Sequence, residues 1–338
     1  MTGPARYRFG DALELSITAP PRLCAHLARE YADHAIDDAP GPDQRASVLI
    51  GPGASDAFAP HTAVVLGRHK LARWRVTVEA KPAERALRLG VSMRGPLAPM
   101  LVQSMVIEPA LGLAAPWCQS VVVPGAAFLT DAGAILIAGP ARTGKSTLAA
   151  RLAASRADAL ADDLVVVWGE GRVSPVRRRV RLYDDFADNA PQAHARLPAR
   201  LRGWLRGRGA LRKATLGMAA PPLLIPPATM GIVAASGAPV LRSLLVVAVE
   251  HERGPGLEEL HPADAVPALL ELGGRERSAL HGAEGHDWEP FLQAQAAGER
   301  DALARILTGV RAQRLYTPAG WDVRQRVRFM ESVLRDQT

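Results

Sequence analysis

The chain has 338 residues, enough for one large domain or for two smaller ones. Its 48% hydrophobic and 22% charged residues are typical of a globular protein, and its two cysteines are too few for a disulfide framework. Eleven basic and three acidic residues lie between Arg177 and Lys213, so the net charge of +7 is local and a diffuse nucleic-acid-binding surface is not expected.

The first third of the chain predicts a smaller α+β domain, which we place at residues 1–119. Its predicted elements are strands at 13–18, 63–66, 74–79 and 87–93, helices at 21–31 and 99–107, and a loop at 37–45. No pattern in this part points to catalysis. We expect it to serve packing, dimerisation or partner recognition.

Residues 109–130 carry no charge and are long enough to cross a bilayer. Three prolines interrupt this segment, and the three valines at 121–123 are typical of a buried strand rather than a membrane span. The first residues do not have the pattern of a signal peptide. We therefore expect a cytoplasmic protein without a membrane span, in which Cys24 and Cys118 are partly buried thiols.

Residues 120–338 predict an α/β domain, because strands alternate with helices along them. The predicted strands are at 120–128, 134–138, 160–168, 241–250 and 310–316, and the predicted helices are at 145–155, 262–272, 288–307 and 322–335. The adjacent Gly273 and Gly274 are expected to end the helix predicted at 262–272. The proline-rich residues 220–228 predict an extended chain.

The stretch GPARTGKST matches the phosphate-loop pattern G-x4-G-K-[ST] and lies between a predicted strand and a predicted helix. The loop consists of Gly139, Pro140, Ala141, Arg142, Thr143, Gly144, Lys145, Ser146 and Thr147. Its glycines allow a tight turn whose amide groups, together with the helix N-terminus, can hold the phosphates of ATP. Lys145 is expected to reach the β- and γ-phosphates, and the Ser146 hydroxyl is expected to bind Mg²⁺.

An acidic pair, Asp162 and Asp163, follows the loop after one predicted helix and a short turn. We expect the pair on the strand next to the loop. One carboxylate, for which we favour Asp162, can serve Mg²⁺ with Ser146, and the other can accept the proton of an attacking hydroxyl. The alternative interpretation is two solvated acids at the start of a strand. The sequence contains no guanine-reading NKxD motif.

The stretch GPARTGKSTLAARLAASRADALADDLVVV resembles the phosphate loop and following Asp-Asp of HPr kinase/phosphorylase, of its smaller relatives and of phosphoenolpyruvate carboxykinases. The similarity extends loosely over residues 120–338, where HPADAVPALLEL is similar to a P-x-[DE]-A helix of those proteins. The resemblance implies a P-loop kinase domain with ATP and Mg²⁺ as cofactors. It also implies a serine hydroxyl as acceptor, on a peptide such as a lasso-type precursor or on a small protein.

Two positions depart from the HPr-kinase pattern. Thr147 stands where those kinases usually have Glu, and residues 123–127 read VPGAA where many relatives carry a His. Two alternatives therefore stay open beside a peptide kinase: a kinase acting on free serine or a sugar, and a nucleotide-binding regulatory protein without turnover. We allow for a homo-oligomer and expect neither a nucleic-acid nor a membrane partner.

The run RRRVR at 177–181 is predicted to form a strand, joined to the preceding one by a turn at 169–171. Strand alternation would place Arg177, Arg179 and Arg181 on one face and Arg178 on the other. Arg179 or Arg181 is the predicted stabiliser of charge on the transferred phosphoryl group. The alternative is a solvated edge strand.

A second basic segment, residues 196–213, has apolar side chains at helical spacing with arginines between them. The apolar residues are Leu197, Leu201, Trp204 and Leu205. Such a helix either docks an acidic peptide or turns its apolar side towards the protein core. Pro198 and Gly203 weaken the prediction of one long helix.

Overall fold

The computed structural model describes residues 4–37, 45–51, 59–154, 159–215, 222–232 and 237–337, and most of the predicted loop at 37–45 lies outside them. The chain is a mixed α/β protein that divides into two units. Unit 1 comprises Met1–Val123, Val166–Ser174 and Pro262–Thr308; unit 2 comprises Pro124–Val165, Pro175–His261 and Gly309–Thr338. The boundary expected between 119 and 120 thus lies close to the first division, whereas residues 166–174 and 262–308 join unit 1 instead of the second domain.

The elements in chain order are as follows. The strands are β1 (Ala5–Phe9), β2 (Leu13–Ile17), β3 (Ala46–Gly51), β4 (Thr62–His69), β5 (Ala72–Lys81), β6 (Ala86–Arg94), β7 (Ser120–Thr130), β8 (Gly133–Ala138), β9 (Ala159–Ala161), β10 (Leu164–Trp168), β11 (Arg172–Pro175), β12 (Val180–Leu182), β13 (Leu223–Ile225), β14 (Leu241–Glu250), β15 (Gly256–Glu259), β16 (Glu284–His286) and β17 (Arg311–Pro318). The α-helices are α1 (Pro21–Glu30), α2 (Ala98–Val102), α3 (Glu108–Ala114), α4 (Lys145–Ala154), α5 (Phe186–Asn189), α6 (Pro191–Arg196), α7 (Ala199–Ala214), α8 (Pro262–Glu276), α9 (Ser278–His281), α10 (Trp288–Ile306) and α11 (Val323–Arg335).

In unit 1, the described strands form a seven-stranded sheet of order β1-β2-β3-β6-β5-β4-β16. The sheet is mixed, because β2 pairs with β3 and β3 with β6 in parallel while β4, β5 and β6 pair antiparallel. In β5 the predicted alternation is found at Arg73 and Arg75, which are exposed, and at Trp74 and Val76, which are buried. Thr77 departs from it and is buried.

The helix predicted at 99–107 is part of a longer helical segment, Ala98–Cys118, which contains α2, a π-helical turn and α3. The segment has 21 residues and a mean hydropathy of 1.3, so by length and composition it could cross a membrane. In the structure 78% of its most apolar window is buried, as in the core helix of a globular unit. Residues 121–123 lie in the buried part of β7, as predicted. Neither Cys24 nor Cys118 forms a disulfide, and both are half-buried.

The prediction that Gly273 and Gly274 end a helix is wrong, because α8 runs through both to Glu276. A Cβ atom on Gly273 would lie 3.0 Å from Nη1 of Arg277 and 3.2 Å from Oε1 of Glu299. Arg277 and Glu299 form an ion pair in which both side chains are 6% exposed. Gly273 therefore makes room for a buried ion pair of unit 1 and does not act as a helix stop.

In unit 2, β7, β8, β14, β17 and β15 lie side by side in that order, and β9 pairs with β7. β8, β14 and β17 run parallel, so their carboxyl ends meet at one edge of the sheet. The apolar faces of α4 and α11 cover these strands, and Leu148, Leu245, Leu315, Val327 and Met330 belong to one buried cluster. Asp322 begins α11 with a capping box, in which its side chain accepts from the Gln325 amide at 2.8 Å.

In the second basic segment, Arg196 ends α6, and the 16-residue α7 begins at Ala199 after Pro198, so the helix breaks at Pro198 as anticipated but not at Gly203. Leu205 is the residue of α7 that is buried, and Leu201 packs partly against the same cluster. Trp204 is 59% exposed, although its spacing had placed it on the apolar stripe. The proline-rich residues are extended in β13 but continue as a short 3-10 helix at Pro227–Met230; residues 220 and 221 lie outside the described residues.

Candidate phosphate-binding site

The predicted loop lies between β8 and α4, in the order strand, loop, helix that the sequence indicates. Gly139 ends the buried strand; a Cβ atom there would lie 2.8 Å from Cβ of Val247 on β14. Gly144 has a φ of +99°, and its Cβ atom would lie 2.7 Å from Cγ2 of Val327 on α11. Both positions therefore require glycine, for close packing at the first and for backbone conformation and packing at the second.

The loop's remaining residues surround the start of α4. Ala141, Arg142 and Ser146 are exposed, Pro140 and Thr147 are half-buried, and Thr143 is buried. Arg142 adopts a φ of +67°, an uncommon conformation for a residue other than glycine. The Thr143 hydroxyl donates to the Pro140 carbonyl at 2.9 Å. The chain direction therefore reverses within the loop before the helix begins.

Lys145 is the first residue of α4, and its side chain is folded back over the loop. Its Nζ donates to the carbonyl oxygens of Gly139 at 2.7 Å and Pro140 at 2.8 Å, and the residue is 7% exposed. A buried ammonium group needs such acceptors to offset the loss of water.

Asp162 and Asp163 lie in the bend between β9 and β10, and not within a strand adjacent to β8 as predicted, because β7 separates β9 from β8. Two hydrogen bonds nevertheless bring the pair to the loop. The Ser146 hydroxyl donates to the main-chain oxygen of Asp162 at 3.3 Å. The amide of Gly125, which pairs with Ala138 at the end of β8, donates to the main-chain oxygen of Asp163 at 2.8 Å.

The prediction of a strand at 177–181 is wrong for its first three residues, because β11 ends at Pro175 and β12 begins at Val180. Alternation therefore does not apply to Arg177, Arg178 and Arg179. Arg178 is 6% exposed and forms an ion pair with the Asp163 carboxylate, which is 41% exposed. The residue assigned to the opposite face is thus in contact with the acidic pair.

The two favoured arginines are placed differently. Arg181 lies on β12 opposite Leu224 of β13, and Arg179 lies in the connection before β12. Both are half-buried. Sequence reasoning missed Arg178 because the strand ends at Pro175, after which Arg178 points towards Asp163. Nothing in the run RRRVR indicates that the strand ends there.

The part of β7 that reads VPGAA is buried throughout, and it contributes a backbone contact instead of an imidazole. Besides bonding to Asp163, Gly125 packs tightly: a Cβ atom there would lie 2.8 Å from the carbonyl oxygen of Ile137. In the described part of the chain this strand therefore positions the acidic pair through its main chain.

The side chains that could hold a divalent cation are the Ser146 hydroxyl and the carboxylates of the acidic pair. Among the described residues, no group of three or more His, Cys, Asp or Glu side chains forms a metal cluster. Hard oxygen ligands of this small number suit Mg²⁺, which keeps several waters and takes further ligands from phosphates. A zinc-type site, with His or Cys ligands, does not fit these residues.

No protein-family model matches the chain, and no curated protein resembles it at a significant level.

Proposed function

We propose that the chain is an ATP- and Mg²⁺-dependent phosphotransferase with a P-loop kinase domain of the HPr kinase/phosphoenolpyruvate carboxykinase type, acting in the cytoplasm. The observation that carries the proposal is the hydrogen bond from the Ser146 hydroxyl to the Asp162 main chain. It joins the start of the phosphate loop's helix to the acidic pair, and transfer chemistry needs both in one place. The contact is to the main chain of Asp162, and it holds the segment that carries the two carboxylates against the start of α4.

In the proposed reaction, the oxygen of an acceptor hydroxyl attacks the γ-phosphorus of ATP. A new P–O bond forms while the bond between the γ-phosphorus and the β–γ bridging oxygen breaks, and ADP leaves. The hydroxyl proton passes to one carboxylate of the acidic pair. Mg²⁺ supplies charge neutralisation on the phosphates and would be held by Ser146 and the other carboxylate, for which Asp162 is favoured. Lys145 would exchange its carbonyl partners for phosphate oxygens.

Arg178 takes the place of Arg179 and Arg181 as the arginine with a defined role. Its buried guanidinium orients the Asp163 carboxylate by an ion pair, so that carboxylate cannot rotate freely. Arg178 is a positioning residue in this proposal. Contact of Arg179 or Arg181 with the transferred phosphoryl group stays a prediction.

The acceptor is most simply a serine hydroxyl on a peptide or small protein, as the resemblance implies; free serine or a sugar is the small-molecule alternative. One observation favours a second function, that of a nucleotide-binding regulatory protein without turnover. The buried VPGAA segment has no room for a side chain at Gly125, and relatives carry a His in the corresponding stretch.

The test is transfer of label from γ-labelled ATP to serine-containing peptides, with free serine and sugars as competing acceptors. Asp162→Asn and Asp163→Asn should each lower transfer by about 10²–10⁴-fold, the usual contribution of a positioned base or metal ligand. Asp188→Asn is the matched control, because Asp188 is exposed and lies on α5 away from the loop sequence. ATP binding without transfer to any acceptor would support the regulatory alternative. Equal transfer by all three variants would refute the role of the acidic pair.

A further inference from the structure

The basic helix α7 carries surface residues that do not contribute to the stability of the helix. It carries five arginines and one lysine and no acid among its 16 residues. Arginines four residues apart, as at Arg202/Arg206 and Arg208/Arg212, repel each other on a helix, and Gly203, Gly207 and Gly209 lower helix stability relative to alanine. A segment that departs from local rules in this way is expected to serve binding.

One side of α7 presents an aromatic and an aliphatic side chain between arginines. Arg200, Trp204, Arg208 and Leu211 follow the helical spacing of four, four and three residues, so they lie along one stripe. We call this set the α7 stripe. Trp204 is 59% exposed and Leu211 is 45% exposed. The guanidinium of Arg208 stacks over the Trp204 ring at 5.2 Å from its centroid, which keeps the ring extended along the surface.

The stripe borders a shallow depression in unit 2. Arg208 lines it with Tyr183, Leu205, Arg212 and Pro222, among other residues. Tyr183 is 50% exposed. Arg212 is held by Asp184 at 2.6 Å, so this acid is already neutralised by a partner. An apolar side chain lying over the depression would meet an aromatic ring and a proline, with the Arg208 guanidinium beside them.

We infer that the α7 stripe, with Tyr183, is a docking surface for an acidic peptide segment that carries apolar side chains. Because the stripe is positively charged, its partner is expected to be negatively charged. The residue types then select a peptide, because Trp, Tyr and Arg are the side chains that carry most of the binding energy in protein–protein contacts. Nucleic acids and anionic membranes are disfavoured because the rest of the chain is nearly neutral and offers no extended basic track.

This inference deepens the proposed function, since the acidic segment would belong to the phosphoryl acceptor and lie apart from its reacting hydroxyl. From Arg200 to Leu211 the α7 stripe extends about 17 Å along the helix, the span of a short extended or helical peptide. Such a surface would select acceptors by charge before the hydroxyl reaches the phosphate loop.

The experiment measures binding of a labelled peptide rich in Glu with Leu spaced along it, by fluorescence anisotropy, in the absence of ATP. The same peptide with every Glu replaced by Gln is the ligand control. The full-length chain should bind the Glu peptide at least about tenfold more tightly than the Gln peptide, because charge-assisted contacts would be lost. Since no nucleotide is added, the result is independent of phosphoryl transfer, and failure of either test leaves the other intact.

Two variants test the residues. Arg200→Gln combined with Arg208→Gln should weaken binding about tenfold or more, and Trp204→Ala should do likewise. Gln is close to Arg in helix propensity, so the double variant is expected to keep α7 folded, which circular dichroism checks. The matched control is Arg324→Gln with Arg328→Gln, two exposed arginines of α11 with the same loss of charge. Its binding should stay within about twofold of the unmodified chain.

The inference is overturned if the Glu and Gln peptides bind equally, or if the α11 control loses as much affinity as the α7 variants. Tighter binding of a single-stranded oligonucleotide or of phosphatidylserine vesicles than of the Glu peptide would also overturn it. Absence of measurable binding by the unmodified chain has the same consequence. Binding of the Glu peptide that only the α7 variants weaken supports it.

Discussion

Ser146 and Asp162 are joined by a hydrogen bond of 3.3 Å, donated by the Ser146 hydroxyl to the Asp162 main-chain oxygen. Sixteen residues separate the two in sequence. The intervening α4 and β9 return the chain to the loop, so residues 139–147 and the acidic pair lie together in unit 2. Because Ser146 is exposed, its hydroxyl can turn from this carbonyl to a cation.

Replacing Ser146 by Ala should raise the Mg²⁺ concentration needed for half-maximal ATP binding by about tenfold, because one hard oxygen ligand is lost. The fold should be unaffected, since the broken hydrogen bond is at the surface. Titration of MgCl₂ at fixed ATP, followed by calorimetry, measures the shift. Thr147→Ser is the control one position away. An unchanged Mg²⁺ requirement in Ser146→Ala would exclude the hydroxyl as a ligand.

Replacing Arg178 by Gln should lower the free energy of unfolding by about 1–3 kcal/mol, because a buried guanidinium and its charge-assisted contact are removed. The half-exposed Asp163 carboxylate can regain water, which favours the lower part of that range. Urea unfolding of Arg178→Gln, Asp163→Asn and the double variant forms a double-mutant cycle. Arg179→Gln is the neighbouring control. A coupling energy near zero would show that the ion pair neither stabilises nor orients.

The sequence predicted most of the strands and helices, because the periodic spacing of apolar residues reflects which face of each element is buried. Local sequence patterns did not predict side-chain positions that depend on tertiary contacts. Arg178 faces Asp163 because the strand ends at Pro175. Trp204 stays exposed because Leu205 and, in part, Leu201 are the side chains of its helix that pack against the core. The order strand, turn and helix around residues 139–147 was predictable because the glycine pattern specifies backbone geometry, and phosphate binding there stays a prediction. The approach of Asp163 to Gly125 depends on sheet register, which no short motif specifies.

Glu299 should make the stability of unit 1 depend on pH. Burial raises the pKa of Glu299 above its ordinary 4.5, while the adjacent Arg277 opposes this by lowering it. The native state therefore keeps the proton to higher pH than the unfolded state. The stabilising contribution is complete below the unfolded pKa and is lost as pH rises through the raised native pKa.

The difference in unfolding free energy between the unmodified chain and Glu299→Gln should accordingly change with pH in that window, with the unmodified chain losing relative stability as pH rises. Thermal or urea unfolding at a series of pH values above 4.5 measures it. Glu289→Gln changes an exposed position on the same helix α10, and its unfolding free energy should depend on pH as that of the unmodified chain does. If the unfolding free energies of Glu299→Gln and the unmodified chain changed equally with pH, the raised pKa of Glu299 would be contradicted.

Two glycine variants test whether the backbone conformation of the loop at Gly144 is needed for ATP binding. Gly144→Ala should destabilise the fold and weaken ATP binding, because φ is +99° and the new Cβ atom would lie 2.7 Å from Val327. Left-handed strain alone costs about 1–2 kcal/mol. Gly203→Ala is the matched control: its Cβ atom would meet nothing within 4 Å, and alanine in a helix gains up to about 1 kcal/mol over glycine.

Gly144→Ala should lower both the melting temperature and the ATP affinity, because its Cβ atom strains the loop and meets side chains of α11. Gly203→Ala should raise the melting temperature and leave the ATP affinity unchanged. If Gly144→Ala melted like the unmodified chain and still bound ATP equally well, the turn at Gly144 would not be the rigid element that positions Lys145. The phosphate site would then have to depend on the side chains of the loop instead of on its backbone path.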